Sequence, residues 1–196
     1  MRDGVASAAR SLGRSFFERD PLICARELVG CTLGFGSASG IIVETEAYAA
    51  EGDPACHTWK RQGARDFVAG NPPGTAYVYL NYGMHWLFNL LVKGGDADGF
   101  VLIRALEPLA GIPVMKRRRD TDHPVLLCNG PAKLTRALGI TGKHHGCDPF
   151  AGGGWKLLSP EIPVETAVST RIGISQAADF PWRFTLKGSP FVSRPS

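Results

Sequence analysis

The sequence predicts a single domain of the α+β class, and three observations carry that reading. Its 196 residues, 44% hydrophobic and 20% charged, suffice for one core and not for two. Runs rich in β-branched and aromatic residues occur in pairs joined by short turns, as hairpins require. Between and after them lie stretches with helix caps, and neither a repeat nor a low-complexity linker divides the chain.

Residues 1–14 mix charges with Ala, Gly and Ser and are expected to be a flexible N-terminus; residues 15–196 form the domain. Asp20-Pro21 followed by L-I-C-A-R-E-L-V-G predicts a helix, with Asp20 as N-cap, Pro21 in the first turn and Gly30 ending it. Residues 31–35 and 41–48 then read as a hairpin around Ser37-Ala38-Ser39-Gly40. Residues 49–74, rich in Gly, Pro, Asp and Arg, show no clear period; a loop of that length inside a compact domain points to function. Residues 75–82 and 84–93 are strands separated by Gly83, and residues 100–107 form another that carries Arg104. Helices are predicted over residues 109–119 and 131–138. The tail alternates Gly/Pro turns with short strands at 155–158, 170–174 and 182–187.

The first functional signal is I-I-V-E-T-E-A-Y, residues 41–48, an apolar strand carrying two acids. At period two, Ile42, Glu44, Glu46 and Tyr48 share one face. Acids on a strand this apolar need partners or a task. Tyr77, Tyr79, Asn81, Tyr82, His85, Asn89 and Arg104 sit on similarly apolar strands. Gathered on one sheet, they would line a concave, π-rich pocket suited to a flat ligand such as a nucleobase. Ordinary strand packing of tyrosines is the plainer account, but neither Glu46 nor Arg104 is needed for a core.

Charge is divided unevenly. Residues 1–98 hold 9 Lys/Arg against 11 Asp/Glu, whereas residues 99–196 hold 13 against 7. A basic second half suits a polyanionic partner, most simply nucleic acid, and Lys116-Arg117-Arg118-Arg119 is its densest cluster. Five cysteines without a C-x-x-C pair fit a reduced, cytoplasmic chain. Cys56, His57, His144, His145 and Cys147 match no standard zinc spacing, so no metal is expected. No apolar run is long enough to cross a bilayer, and residues 1–14 lack a signal-peptide core.

Several motifs together resemble one family. V-E-T-E-A-Y (43–48), G-D-P-A-C-H (52–57), P-P-G-T-A-Y-V-Y-x-x-Y-G-M-H-W (72–86), V-L-I-R-A-L-E-P (101–108) and N-G-P-A-K-L (129–134) look like those of the alkyladenine (3-methyladenine) DNA glycosylases, in the family's order. R-I-G-I (171–174) and G-S-P-F-V-S (188–193) extend the likeness, which covers residues 15–193. The resemblance implies a curved, mostly antiparallel sheet flanked by helices. It also implies a monomeric enzyme acting on double-stranded DNA, which flips a damaged purine and hydrolyses its N-glycosidic bond without cofactor. Glu46 would activate the water. Arg104, with backbone carbonyls near His57 and the 171–174 segment, would help to hold it. Tyr48, His57 and Tyr79 would sandwich the base, Asn89 would reject guanine's amino group, and Tyr82 would wedge into the duplex.

Lys133, at a predicted helix start after Gly130-Pro131, and Arg61 and Arg65 are candidates for DNA-backbone contacts. Lys60, Lys93 and Lys133 read as loop, turn and helix-start residues rather than as a Schiff-base nucleophile, which predicts a monofunctional enzyme. The sequence departs from the family pattern at K-R-Q-G-A-R-D-F-V-A-G-N, residues 60–71. Arg65 keeps the family's arginine, but Asp66 replaces an asparagine and a Met-Phe pair is absent, so Val68 and Ala69 should leave that wall smaller or more open. Two other classes stay open at this point. One is a non-catalytic nucleic-acid-binding module. The other is a small-molecule hydrolase using Glu44 and Glu46, whose Cα atoms would lie about 7 Å apart.

Overall fold

The computed structural model describes residues 9–195. Eight strands make one curved sheet in which every pairing is antiparallel. They are β1 (Thr32–Phe35), β2 (Ala38–Ala49), β3 (Ala76–Asn81), β4 (His85–Val92), β5 (Gly99–Ala110), β6 (Trp155–Leu158), β7 (Thr166–Ser169) and β8 (Arg183–Leu186). The order is β3-β4-β5-β2-β1-β6, with β8 bridging β2 and β7. The long strand β2 changes partner along its length. Residues 38–41 pair with β1 and residues 44–46 with β8, so the sheet forks and curls around β2.

Helices α1 (Pro21–Leu28), α4 (Ile112–Arg119) and α5 (Pro131–Leu138) cover one face. Cys24, Leu28, Met115, Leu134 and Leu138 pack there against Phe88, Leu90 and Ile103 in the main core. On the opposite face α2 (His57–Lys60) and α3 (Gln62–Gly70) place Cys56, Phe67 and Val68 against Tyr77, Leu91 and Phe100. That Leu90 and Leu91 join different clusters is the period of a strand covered on both sides.

The predicted α+β class, the cap of α1 and the strands from β3 to β5 agree with this fold. Asp20 Oδ1 accepts from the N–H groups of Leu22 and Ile23 at 2.8 and 3.3 Å. Other expectations need correction. The first hairpin turns over Gly36 and Ser37 alone, where Gly36 adopts φ 61°, and β2 already begins at Ala38. Residues 49–74 are not one loop. The helices α2 and α3 are four and nine residues long, too short to hold by propensity, and dock through Ala64, Phe67 and Val68. Leu109 and Ala110 extend β5, and α4 starts only after Gly111, whose φ of 72° carries the chain closely past Ser37. Residues 170–174 are not a strand; β7 precedes them.

The basic cluster is largely consumed by the fold. Arg118 donates to the Ala137 carbonyl, Arg119 to those of Leu126 and Leu127, and Lys116 pairs with Asp122. Of the N-terminal stretch 1–14, residues 1–8 lie outside the described residues. Beyond them, Leu12 N–H donates to the Leu157 carbonyl at 2.8 Å and Arg14 pairs with Asp148. No described helix is long and apolar enough to cross a membrane.

Candidate active site

Where β2 meets β5 the register slips three times, once between Ser39 and Gly40 and twice around Glu44. Ile42 pairs with Leu106 and Glu44 with Ala105, which leaves Val43 over; Glu44 and then Thr45 oppose Ala105 and Ile103, which leaves Arg104 over. Such bulges re-aim side chains without ending a ladder. Their result corrects the period-two expectation. Ile42 joins the main core with Ala47, while Glu44, Glu46 and Tyr48 meet Arg104 on the other face.

Both acids are fully buried. Glu44 Oε1 accepts from Arg104 Nε at 3.0 Å, Arg183 Nε at 2.7 Å and Ser193 Oγ at 2.8 Å, and Oε2 accepts from the Ser193 N–H at 2.5 Å. Burial alone would raise its pKa, but Arg104, the Ser193 N–H and Arg183 together outweigh it, and Glu44 stays below the ordinary glutamate value. Glu46 has fewer donors. Its Oε1 accepts from the Ile172 N–H at 2.7 Å, and Oε2 from Tyr48 Oη at 2.8 Å and Arg104 Nη1 at 3.2 Å. Burial prevails there, the Glu44 charge adds to it, and the Glu46 pKa is raised. Burial and the Glu46 charge likewise push Tyr48 well above the usual phenol value, so its hydroxyl remains a donor.

Beside these residues opens a pocket of about 330 Å³, lined in part by Tyr48, His57, Tyr79, Asn89 and Arg104. Glu44 and Glu46 lie behind that surface, and only Glu46 is joined by hydrogen bonds to lining residues on three segments. His57 and Tyr79 form one wall, their rings edge to face at 4.3 Å. Burial, helped by Arg61, lowers His57 to about 4, so the imidazole is neutral at neutral pH, and its Nδ1 is 3.0 Å from Tyr77 Oη. Burial pushes Tyr79 up to about 12. Asn89 is fixed deep in the pocket by donating to the Tyr77 carbonyl at 3.1 Å.

Tyr82 stands at the pocket's lip, on the tip of the β3–β4 hairpin. It is 83% exposed with φ 49°, followed by Gly83 at φ 70° and Met84 at 69% exposure. Both central turn residues thus have positive φ, as a tight hairpin with the right twist demands. A non-glycine held there with its aromatic ring in solvent is strained and unburied.

The other expected residues fare unequally. Lys133 lies at the start of α5 next to the pocket-lining Pro131, and Nζ donates to Asn129 Oδ1 at 2.8 Å. Arg65 is not at the pocket; it ties α3 to α2 through the Thr58 carbonyl and Gln62. Asp66 accepts from Gln62 and faces solvent. Residues 68–69 do not line the pocket; in that stretch Phe67 packs 5.0 Å from Tyr77 and 6.3 Å from Phe100, with Val68 buried beside it. His145 Nδ1 accepts from Val78 N–H, and among the described residues no three His, Cys, Asp or Glu side chains gather as a metal site would need.

Four side chains had no assigned role in the sequence reading. Arg183 and Ser193 complete the shell of Glu44. Asp53 forms a fully buried, two-point pair with Arg171 at 2.6 and 2.9 Å. Asp53, Arg171 and Ser193 were signalled in advance only by membership of the motifs at 52–57, 171–174 and 188–193, and Arg183, in the predicted strand 182–187, by nothing, since side chains far apart in sequence give no local pattern.

The candidate site thus combines a half-barrel sheet, aromatic walls, a buried acid–arginine pair and an exposed tyrosine on a hairpin tip. The methylpurine-DNA glycosylase family model matches residues 15–190. A protein of Agrobacterium fabrum, provisionally named a 3-methyladenine DNA glycosylase, is 48% identical over 92% of this chain and 91% of its own length. Equally named proteins of Rhodopseudomonas palustris BisB18 and Chlorobaculum tepidum are 46% and 39% identical, covering 100% and 94% of this chain and 98% and 91% of their own. The chain belongs to the methylpurine-DNA glycosylase family, whose members are hydrolases of DNA repair.

Proposed function

We propose that the protein removes damaged purines, 3-methyladenine among them, from duplex DNA by hydrolysing the N-glycosidic bond, and leaves an abasic site. The observation that carries this reading is Glu46: a buried carboxylate with raised pKa, fixed by Ile172, Tyr48 and Arg104 at the back of an aromatic pocket.

The chemistry follows from these positions. Tyr82 enters the duplex from its hairpin tip and offsets the stacking lost when the nucleotide turns out. The base lies between Tyr48 on one side and His57 with Tyr79 on the other. Asn89, at the pocket's depth, excludes a purine bearing guanine's exocyclic amine, and Lys133 meets the DNA backbone. Breaking the bond from C1′ leaves oxocarbenium character on the sugar and places the electron pair on the departing base. Glu46 takes a proton from water as the water's oxygen bonds to C1′, and its charge steadies the sugar cation. Arg104 holds Glu46 and, lining the pocket, orients the water.

No lysine lines the pocket, and Lys93 Nζ is occupied by the Val68 and Asn71 carbonyls, which supports hydrolysis without a Schiff base. The enzyme works as a monomer; the five unpaired thiols support the cytoplasm as its compartment.

The test is release of 3-methyladenine, hypoxanthine and ethenoadenine from duplex oligonucleotides by wild type and by Glu46→Gln. Release by wild type and not by the variant supports the reading. Tight DNA binding with no release from any substrate would make the protein a binding module instead.

A further inference from the structure

Behind Tyr48, on the side away from the pocket, lies a charge that the reaction does not use. The Arg171 guanidinium is fully buried and sits 4.6 Å from the Tyr48 ring centroid and 5.0 Å from that of Trp182. Tyr48 lines the pocket and Arg171 does not, so the ring separates the cation from whatever the pocket holds. The guanidinium is pinned there by Asp53 on the loop that leads to His57, by the Ala47 carbonyl at 3.0 Å and by the Ala177 carbonyl at 3.3 Å. Its Nε is buried without a partner. The site accepts that cost to keep a planar cation against this ring.

We propose that Arg171 is a specificity-determining residue: its guanidinium draws electron density from Tyr48 and so favours neutral damaged purines over cationic ones. An aromatic face attracts cations through its negative quadrupole. A cation already on one face weakens that attraction on the other, while stacking of a neutral ring persists. The opposite wall, a neutral His57 against Tyr79, feels the Arg61 charge, but among the described residues no guanidinium is stacked on the Tyr79 ring. Hypoxanthine and ethenoadenine are the neutral class, and 3-methyladenine and 7-methylguanine in DNA the cationic one. The inference rests on the glycosylase reading and refines it.

Single-turnover excision of a hypoxanthine and a 7-methylguanine duplex tests it in two variants. Asp53→Asn leaves the guanidinium without its counter-charge and should raise the neutral-to-cationic ratio of rates. The paired change Arg171→Gln with Asp53→Asn removes both charges and should lower that ratio. Each shift should fall within about three- to thirtyfold, the span of a cation–π contact from exposed to desolvated. A purely structural role would slow both substrates together and leave the ratio unchanged in each variant, which overturns the inference while the glycosylase reading stands. If the double variant does not fold, the direction of the Asp53→Asn shift decides alone. Absence of release by wild type from either duplex would instead remove the glycosylase reading and this inference with it.

Discussion

Glu44 and Glu46 are the same residue type, two positions apart on one strand, on one face, and equally buried, yet they end in opposite electrostatic states. Glu44 faces inward to four donors from Arg104, Arg183 and the C-terminal segment. Glu46 has three, one of them a neutral phenol and one a backbone N–H. Arg104 is shared, but its Nε goes to Glu44 at 3.0 Å and only Nη1, at 3.2 Å, reaches Glu46. Burial pushes both pKa values up, and only the fuller donor set of Glu44 outweighs it.

The largest expected effect separates the two by activity. Glu46→Gln should lower single-turnover excision by about 10²–10⁴-fold, the usual worth of a general base, with its thermal midpoint close to wild type. A large loss of stability in that variant would mean that Glu46 is structural as well. Glu44→Ala should show the reverse balance. It leaves two buried guanidinium groups short of a counter-charge and should cost about 3–5 kcal/mol in urea unfolding. Near-wild-type stability would show that Glu44 is no anchor.

The pH dependence sharpens the contrast. Glu46 works ionised, so excision should fall as pH drops through its raised pKa, placing the acid limb above the ordinary glutamate value of about 4.3. A limb at or below that value would break the assignment. Glu44, with its lowered pKa, stabilises the fold at pH above its unfolded value, and that contribution is lost as pH falls toward the folded one. Glu44→Gln should therefore flatten the acid side of the stability curve. The smallest effect belongs to Ser193→Ala, which removes the hydroxyl donor but keeps the backbone N–H on Glu44. About 1 kcal/mol of stability and little activity should go; a large fall in excision would mean that the C-terminal segment acts on Glu46 directly.

Much of the site was legible in advance because strands write their faces into sequence. Glu46 beside Tyr48, the tyrosines of β3 and Asn89 on β4 fall at period two and meet in one pocket. Ile42 was placed on the wrong face because a bulge at Val43 shifts the period, and nothing in a β-branched run marks the extra residue. The helices α2 and α3 were missed since they owe their existence to docking against Tyr77 and Phe100. The bonds of Arg65 to the Thr58 carbonyl and Gln62 were not legible either, because α2 and α3 were not foreseen.

What the sequence by itself determined is the class of the domain, its main strands and the types of residue available for chemistry. Periodicity, caps and turn residues act within a few positions and need no partner. Only the tertiary structure decided which acid has its pKa raised and which lowered, what Arg65 bonds to and what stands behind Tyr48. Those outcomes depend on groups such as Arg183, Ser193 and Arg171, more than a hundred residues from the strand they act on. A buried charge is set by its nearest few ångströms, and folding alone chooses what fills them.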